Sequence, residues 1–275
     1  MSRRSLDLLA RMAAAFLLGL AVAGAAPGHA RALDEGDDIA QVFSFGGSCV
    51  GCELSGRKMP MARFMGANFT GASLVGSDLH GAWFFGANFS RANLAHADLH
   101  GASLFGSEFI GVDLTDANLA GVRGHGASFV GATLTGANFT GANLMGADLA
   151  RANAQNAQFN GASLMGVALN EGHFDHASFR AANLIGADLL SSSLQGADLT
   201  GANLAHANLA SADLTGARGL TQSQLDVACS TPLTRLPSGL VGRACHAGPS
   251  LVILRATQPM HLSPPRQPPA PPPLP

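Results

Sequence analysis

The sequence predicts an all-β solenoid, a chain wound into a coil of short extended sides with four sides to each turn. Three observations predict it. From Leu54 to Leu214 every fifth residue is Leu or Phe except Met59, Gly124 and Ala154. The residue two before each of these is mostly Ala, and the one opening the next unit is mostly Gly. The phenylalanines Phe69, Phe89, Phe109 and Phe129 recur every twenty residues, as do Phe139, Phe159 and Phe179, and Phe64 and Phe84.

A period of five fits neither a helix, which wants apolar residues three and four apart, nor a long strand, which wants them two apart. It fits a side followed by a corner. In GANFTGANLMGADLA, residues 136–150, Ala and Leu/Phe alternate with polar residues, so a short extended segment buries the first pair and hydrates the rest. Glycine then gives the turn its permissive dihedrals. The phase never slips, so the units stack without insertions. Aromatic rings recurring at twenty residues fill the same slice of core in successive turns, which sets four units per turn.

The elements follow in chain order. Arg3, Arg4 and Arg11 precede an apolar run from Met12 to Ala26, and Ala30-Arg31-Ala32 offers a small-x-small cleavage site, so residues 1–32 are expected to be a signal peptide. The run is shorter than the roughly 20 residues of a spanning helix, and no stable membrane span is expected after cleavage. Asp7 sits where a twin-arginine signal prefers an apolar residue, which leaves the export route open. Residues 33–48, with Ile39, Val42, Phe43 and Phe45, are expected to cover the N-terminal end of a repeat region at 49–219. Thr221 and Gln224 form a T-x-x-Q capping box for a short helix with Leu225 and Ala228 on one face, inside a C-terminal cap at 220–257. Residues 258–275 are proline-rich and expected to form a disordered or polyproline extension.

Composition narrows the function. Of 275 residues, 47% are hydrophobic and 12% charged, and the formal charge is −2. Removing residues 1–32 takes away four arginines and Asp7 and leaves −5, which argues against a nucleic-acid binder. Export to the periplasm or beyond permits disulfides among Cys49, Cys52, Cys229 and Cys245. Four cysteines allow three pairings; Cys49 with Cys52 and Cys229 with Cys245 are favoured, since each pair brackets one end of the array. Cys49-Val50-Gly51-Cys52 has no second CxxC and no βαβ context, so a structural role outweighs redox or metal chemistry.

The uninterrupted A-N/D-L/F-x-G repeat resembles the pentapeptide repeat family over Leu54 to Leu214. The flanks CVGCELSG and GLTQSQLDVACSTPLTRLPSGL also resemble exported bacterial members. The resemblance implies a right-handed quadrilateral β-helix with Ala and Leu/Phe inside. It implies fold more firmly than function. Each repeat touches only its neighbours, so the ends need caps. Thin spots at Gly124 and Ala154 are expected to leave a local void or a kink.

Sorting the outward residue after each Leu/Phe into four columns gives one strongly apolar column: Met65, Phe85, Phe105, His125, Met145, Met165, Ile185 and Ala205. Trp83 joins it. A contiguous apolar stripe marks a contact surface, and aromatic and Met residues are enriched in interfaces. Met65, Trp83, Phe85, Phe105, Met145, Met165 and Ile185 are therefore the candidate interface, either to a protein partner or homodimer, or to the N-terminal segment or the Leu251-Val252-Ile253-Leu254 run of the same chain. A second group, Asp78, His80, Asp98 and His100, with His96 nearby, could hold a divalent transition metal, although a solvated polar face is the simpler account. No nucleophile–base pair, HExxH motif or phosphate-cradling loop appears, so no enzyme and no cofactor are expected. The expected function is an exported non-enzymatic scaffold for protein–protein interaction. The family resemblance also implies an alternative, a DNA mimic that protects or inhibits DNA gyrase, which an exported protein would not meet. Weak surface metal binding is the third reading.

Overall fold

A computed structural model describes residues 43–45 and 47–245. The expected signal peptide (1–32), nearly all of the N-terminal covering segment up to residue 42, and residues 246–275 with the Leu251–Leu254 run and the proline-rich tail lie outside the described residues.

One unit shows how each side is made. Ala137 and Phe139 are buried, and Asn138 between them points outward. The Asn138 amide donates to Ala117 O of the turn before (2.9 Å), and the Phe139 amide donates to Gln158 O of the turn after (2.7 Å). A side three residues long thus hydrogen-bonds in both directions, which satisfies its main-chain groups. Parallel bridges join residues twenty apart without interruption from Ser48↔Asn68 to Asp198↔Arg218, in four ladders. On one of the four, the pairing lengthens into a parallel sheet of β1 (Phe43–Phe45), β2 (Arg63–Met65) and β3 (Trp83–Phe85), again in register at twenty.

The corners correct one expectation. Gly141 has φ +66, and the turn closes when the Ala142 amide donates to Phe139 O (3.0 Å). Yet among the described residues twelve that are not glycine, Arg91, His96 and Ala181 included, hold the same left-handed conformation. Local preference opposes this by roughly 1–2 kcal/mol each. The ladder overrides it, since the Arg91 amide must reach Ile110 O (2.9 Å) and the Ala181 amide Thr200 O (2.9 Å).

The core is a set of ring columns. Phe69, Phe89, Phe109 and Phe129 stack at 4.8, 4.9 and 4.9 Å between centroids. Phe139, Phe159 and Phe179 stack at 5.0 Å. Phe64 and Phe84 form a neighbouring column, and Phe64 meets Phe69 edge to face at 88°. No kink occurs at the thin spots, because the ladder continues through Gly124 N to Asn143 O (2.8 Å) and Ala154 N to His173 O (2.7 Å). At Gly124 the space is taken: an added β-carbon would stand 2.8 Å from Leu144 Cδ2. Phe174 follows Ala154 in the same column and leans over Gly172, where an added β-carbon would stand 2.5 Å from its Cε2.

The short helix α1 (Gln222–Val227) follows Thr221, whose side chain accepts from the Gln224 amide while the Gln224 side chain accepts from the Thr221 amide. Gln224 Nε2 also donates to Leu199 O and Ala202 O, both at 2.9 Å, and Leu225 is buried. Beyond α1 the ladder resumes with offset spacing, Asn208↔Cys229 and Asp213↔Arg235, because the helix adds residues to that turn.

Candidate functional site

The side built on β2 and β3 carries the apolar column. In both strands only the middle residue is buried. Phe85 is 58% exposed, Trp83 49%, Met65 44% and Met145 38%; Phe105, Met165 and Ile185 are half-buried by neighbours one turn away. Phe85 and Phe105 lie 6.2 Å apart, and Phe105 stacks on His125 at 5.7 Å. The Arg63 guanidinium lies 5.0 Å over the Trp83 ring, a cation–π contact. From Arg63 to His206 this side contains no carboxylate, although the protein is acidic overall. The glycines from Gly66 to Gly186 that follow the apolar column put no side chain at that corner, so the strip is flat.

In the Asp/His group each imidazole is paired with the carboxylate of its own triplet. His80 Nδ1 lies 2.6 Å from Asp78 Oδ1, and His100 Nδ1 lies 2.8 Å from Asp98 Oδ1. The two imidazoles stack at 5.0 Å. Each ring therefore spends one nitrogen on its own triplet, and His96 stands nearest Asp116 (3.9 Å). Among the described residues no group of three or more His, Cys, Asp or Glu side chains is placed to hold a metal ion.

The outward Asn and Asp residues have a structural task that sequence reasoning missed. Asn138 Oδ1 accepts from the Thr140 amide (3.0 Å), Asp113 Oδ1 from Thr115 (2.9 Å), Asp148 Oδ1 from Ala150 (2.9 Å) and Asp198 Oδ1 from Thr200 (2.9 Å). Side-chain oxygens that bond the backbone two residues on form Asx turns. The signal was present, since Asn, Asp or Ser stands before most buried Leu/Phe positions. Asn and Asp do this work alike, so acidity at these positions is not itself a surface feature. Hydrogen bonds from the Thr200 side chain and backbone, aided by Arg180, hold the Asp198 carboxyl down at about 2 against the opposing effect of burial. At Asp213 burial pushes the other way, but Thr215 and Arg235 prevail and the carboxyl is lowered.

Both disulfides are present, Cys49–Cys52 and Cys229–Cys245. Cys49 occupies the Leu/Phe register and Cys52 the Ala register of the first turn, and both pack against the core. No helix among the described residues is long and apolar enough to cross a membrane.

Comparison with known proteins agrees with this architecture. The profile described as Pentapeptide repeats matches eight copies, at residues 48–82, 84–121, 127–166, 162–201 and 182–218. The chain is similar to HetL of the cyanobacterium Nostoc sp. strain PCC 7120, a pentapeptide repeat protein involved in heterocyst differentiation regulation. That match has 29% identity, covers 72% of this chain and 86% of HetL, and has a TM-score of 0.53. A pentapeptide repeat protein of the Arabidopsis thaliana thylakoid lumen matches at 30% identity over 45% of this chain and 72% of its own, with a TM-score of 0.32. QnrB1, a plasmid-mediated fluoroquinolone resistance protein, matches at 23% identity over 69% of this chain and 89% of its own, with a TM-score of 0.31. The curated proteins contain no significant match, and no enzyme family is indicated. With its repeats matched from residue 48 to residue 218 and its ladders in register at twenty residues, the chain belongs to the pentapeptide repeat family.

Proposed function

We propose that this protein is an exported, non-enzymatic scaffold that binds another protein through the side bearing Met65, Trp83, Phe85, Phe105, Met145, Met165 and Ile185. The four ladders close as a right-handed quadrilateral β-helix, and α1 with the segment to Cys245 lids its C-terminal end. The observation that carries the reading is the exposure of Trp83 and Phe85 on the three-stranded part of the surface. Apolar area removed from water contributes about 25 cal/mol per Å², and aromatic anchors on a rigid support lose little side-chain freedom on binding.

The test is Phe85→Asp combined with Phe105→Asp. Sedimentation velocity reads oligomeric state, and a photo-crosslinking residue at position 83 in the periplasm captures a partner. Loss of a dimer or of a defined crosslinked band supports the interface, and an unchanged pattern in both refutes it. Export is tested separately by a reporter fused after Ala32, which is expected to be active only outside the cytoplasm.

A further inference from the structure

We infer that the partner is a different protein, which lays on this side an apolar segment carrying carboxylates, with Trp83, Phe85 and Phe105 taking the apolar part and Arg123 a carboxylate. The inference rests on the protein-binding reading above and narrows it to one class of ligand. All eleven Asp and Glu residues between Arg63 and Arg218 fall on the other three sides, so the apolar side is also the side without negative charge. Arg180 and Arg235 each meet a carboxylate on their own side, Asp198 at 3.0 Å and Asp213 at 3.3 Å. Arg123 is exposed and has no carboxylate on its side to meet.

The ladder sets the spacing. Trp83 bridges Ser103, and Ser103 bridges Arg123, so Arg123 lies two turns from the indole, about 10 Å away. Ser103 stands in the outward register yet is 6% exposed, because the larger Trp83 and Arg123 flank it. Phe85 and Phe105 run alongside, 6.2 Å apart. Gly101 and Gly121 on one edge and Gly106 and Gly126 on the other leave open space where a β-carbon would go, so a second main chain can approach closely. The planar guanidinium fork of Arg binds a carboxylate bidentately. Beside apolar ground cleared of water, that pair is stronger than on an open surface. A second copy docking by the same side puts the Arg123 of both copies on one patch that holds no carboxylate, and burying charge without a partner is costly. A second copy docking by one of its acidic sides makes a contact that does not close.

The experiment uses the full chain with its disulfides intact and reads the fluorescence of Trp83, the only tryptophan in the sequence. The probes are three tryptophan-free peptides that share a Leu-Phe core flanked by Glu, by Gln or by Lys. The Glu peptide is expected to shift the emission and to bind about tenfold more tightly than the Gln peptide, with the gap closing as salt is added. Arg123→Gln is expected to remove that gap and Arg123→Glu to transfer the preference to the Lys peptide, both with unchanged thermal unfolding. Equal binding of the Glu and Gln peptides overturns the inference, as does a preference that survives Arg123→Gln, or a Trp83 response confined to phosphatidylglycerol vesicles. A dimer that Phe85→Asp with Phe105→Asp dissolves overturns it too, while upholding the protein-binding reading; an unchanged pattern in that double variant refutes both.

Discussion

Phe69 and Phe89, twenty residues apart in sequence, lie with ring centroids 4.8 Å apart and planes within 8° of parallel, at the head of a column that ends at Phe129. Each inner ring of such a column is sandwiched, so its loss leaves a cavity that neighbours held by ladders on both sides cannot collapse to fill. Phe109→Ala is therefore expected to cost about 3–5 kcal/mol, read as a shift in the urea unfolding midpoint. A cost below about 1 kcal/mol would show that the column is not filled as described.

Corner residues give a pair of opposite predictions. Gly141 has φ +66 and open space where a β-carbon would go, so Gly141→Ala introduces backbone strain with no clash. The expected loss is about 1 kcal/mol. Ala181 already bears that strain at φ 53, and nothing but a methyl group is removed in Ala181→Gly. Relief of strain outweighs the added freedom of the unfolded chain, for an expected gain of about 0.5–1 kcal/mol. Matched thermal denaturation of the two variants checks the signs; a stabilised Gly141→Ala would contradict the corner geometry.

The Asx turns make a third prediction. Asn138→Ala removes the acceptor for the Thr140 amide and is expected to cost about 1 kcal/mol, while Asn138→Asp, which keeps Oδ1 but loses the long Nδ2 bond to Asn118 Oδ1 (3.4 Å), is expected to cost less. Equal losses in the two variants, measured by chemical unfolding, would show that the turn bond contributes nothing.

Much of this was legible because a solenoid converts sequence period directly into spatial neighbourhood. The positions of Phe69 and Phe89, the inward Ala and Leu/Phe pair, and the Thr221–Gln224 box could all be read from spacing. Three things could not. Left-handed Arg91 and Ala181 are imposed by ladders to the next turn, which local preference does not register. The space at Gly124 is filled by Leu144, a residue one turn away whose rotamer no periodicity encodes. Burial of Phe105 relative to Phe85 likewise depends on what stacks against each ring, since Phe105 has His125 beyond it.

Acid stability gives the last prediction. Asp198 Oδ1 accepts from Thr200 Oγ1 (2.5 Å) and the Thr200 amide (2.9 Å), and Oδ2 accepts from Arg180 (3.0 Å). These bonds favour the ionised form and bring the carboxyl from an ordinary 3.8 to about 2. Asp213 is lowered by the same combination of a threonine two residues on and an arginine, Arg235, despite its burial. A folded pKa below the unfolded one means the native state holds its proton less tightly. The resulting stability is fully present above the unfolded value and is lost as pH falls through the folded one. Unfolding free energy is thus expected to be level from neutral pH down to about 5 and to drop between about 4 and 2. Asp198→Asn keeps an oxygen for both Thr200 bonds but puts an amide donor where Oδ2 accepts from Arg180, so it removes the titration together with that ion pair. Its acid limb is expected to be shallower than that of the parent protein in urea unfolding across a pH series. Identical limbs would mean that Asp198 is not the depressed carboxylate. Added salt should weaken the Arg180 contribution, because the pair is close to solvent and screened there.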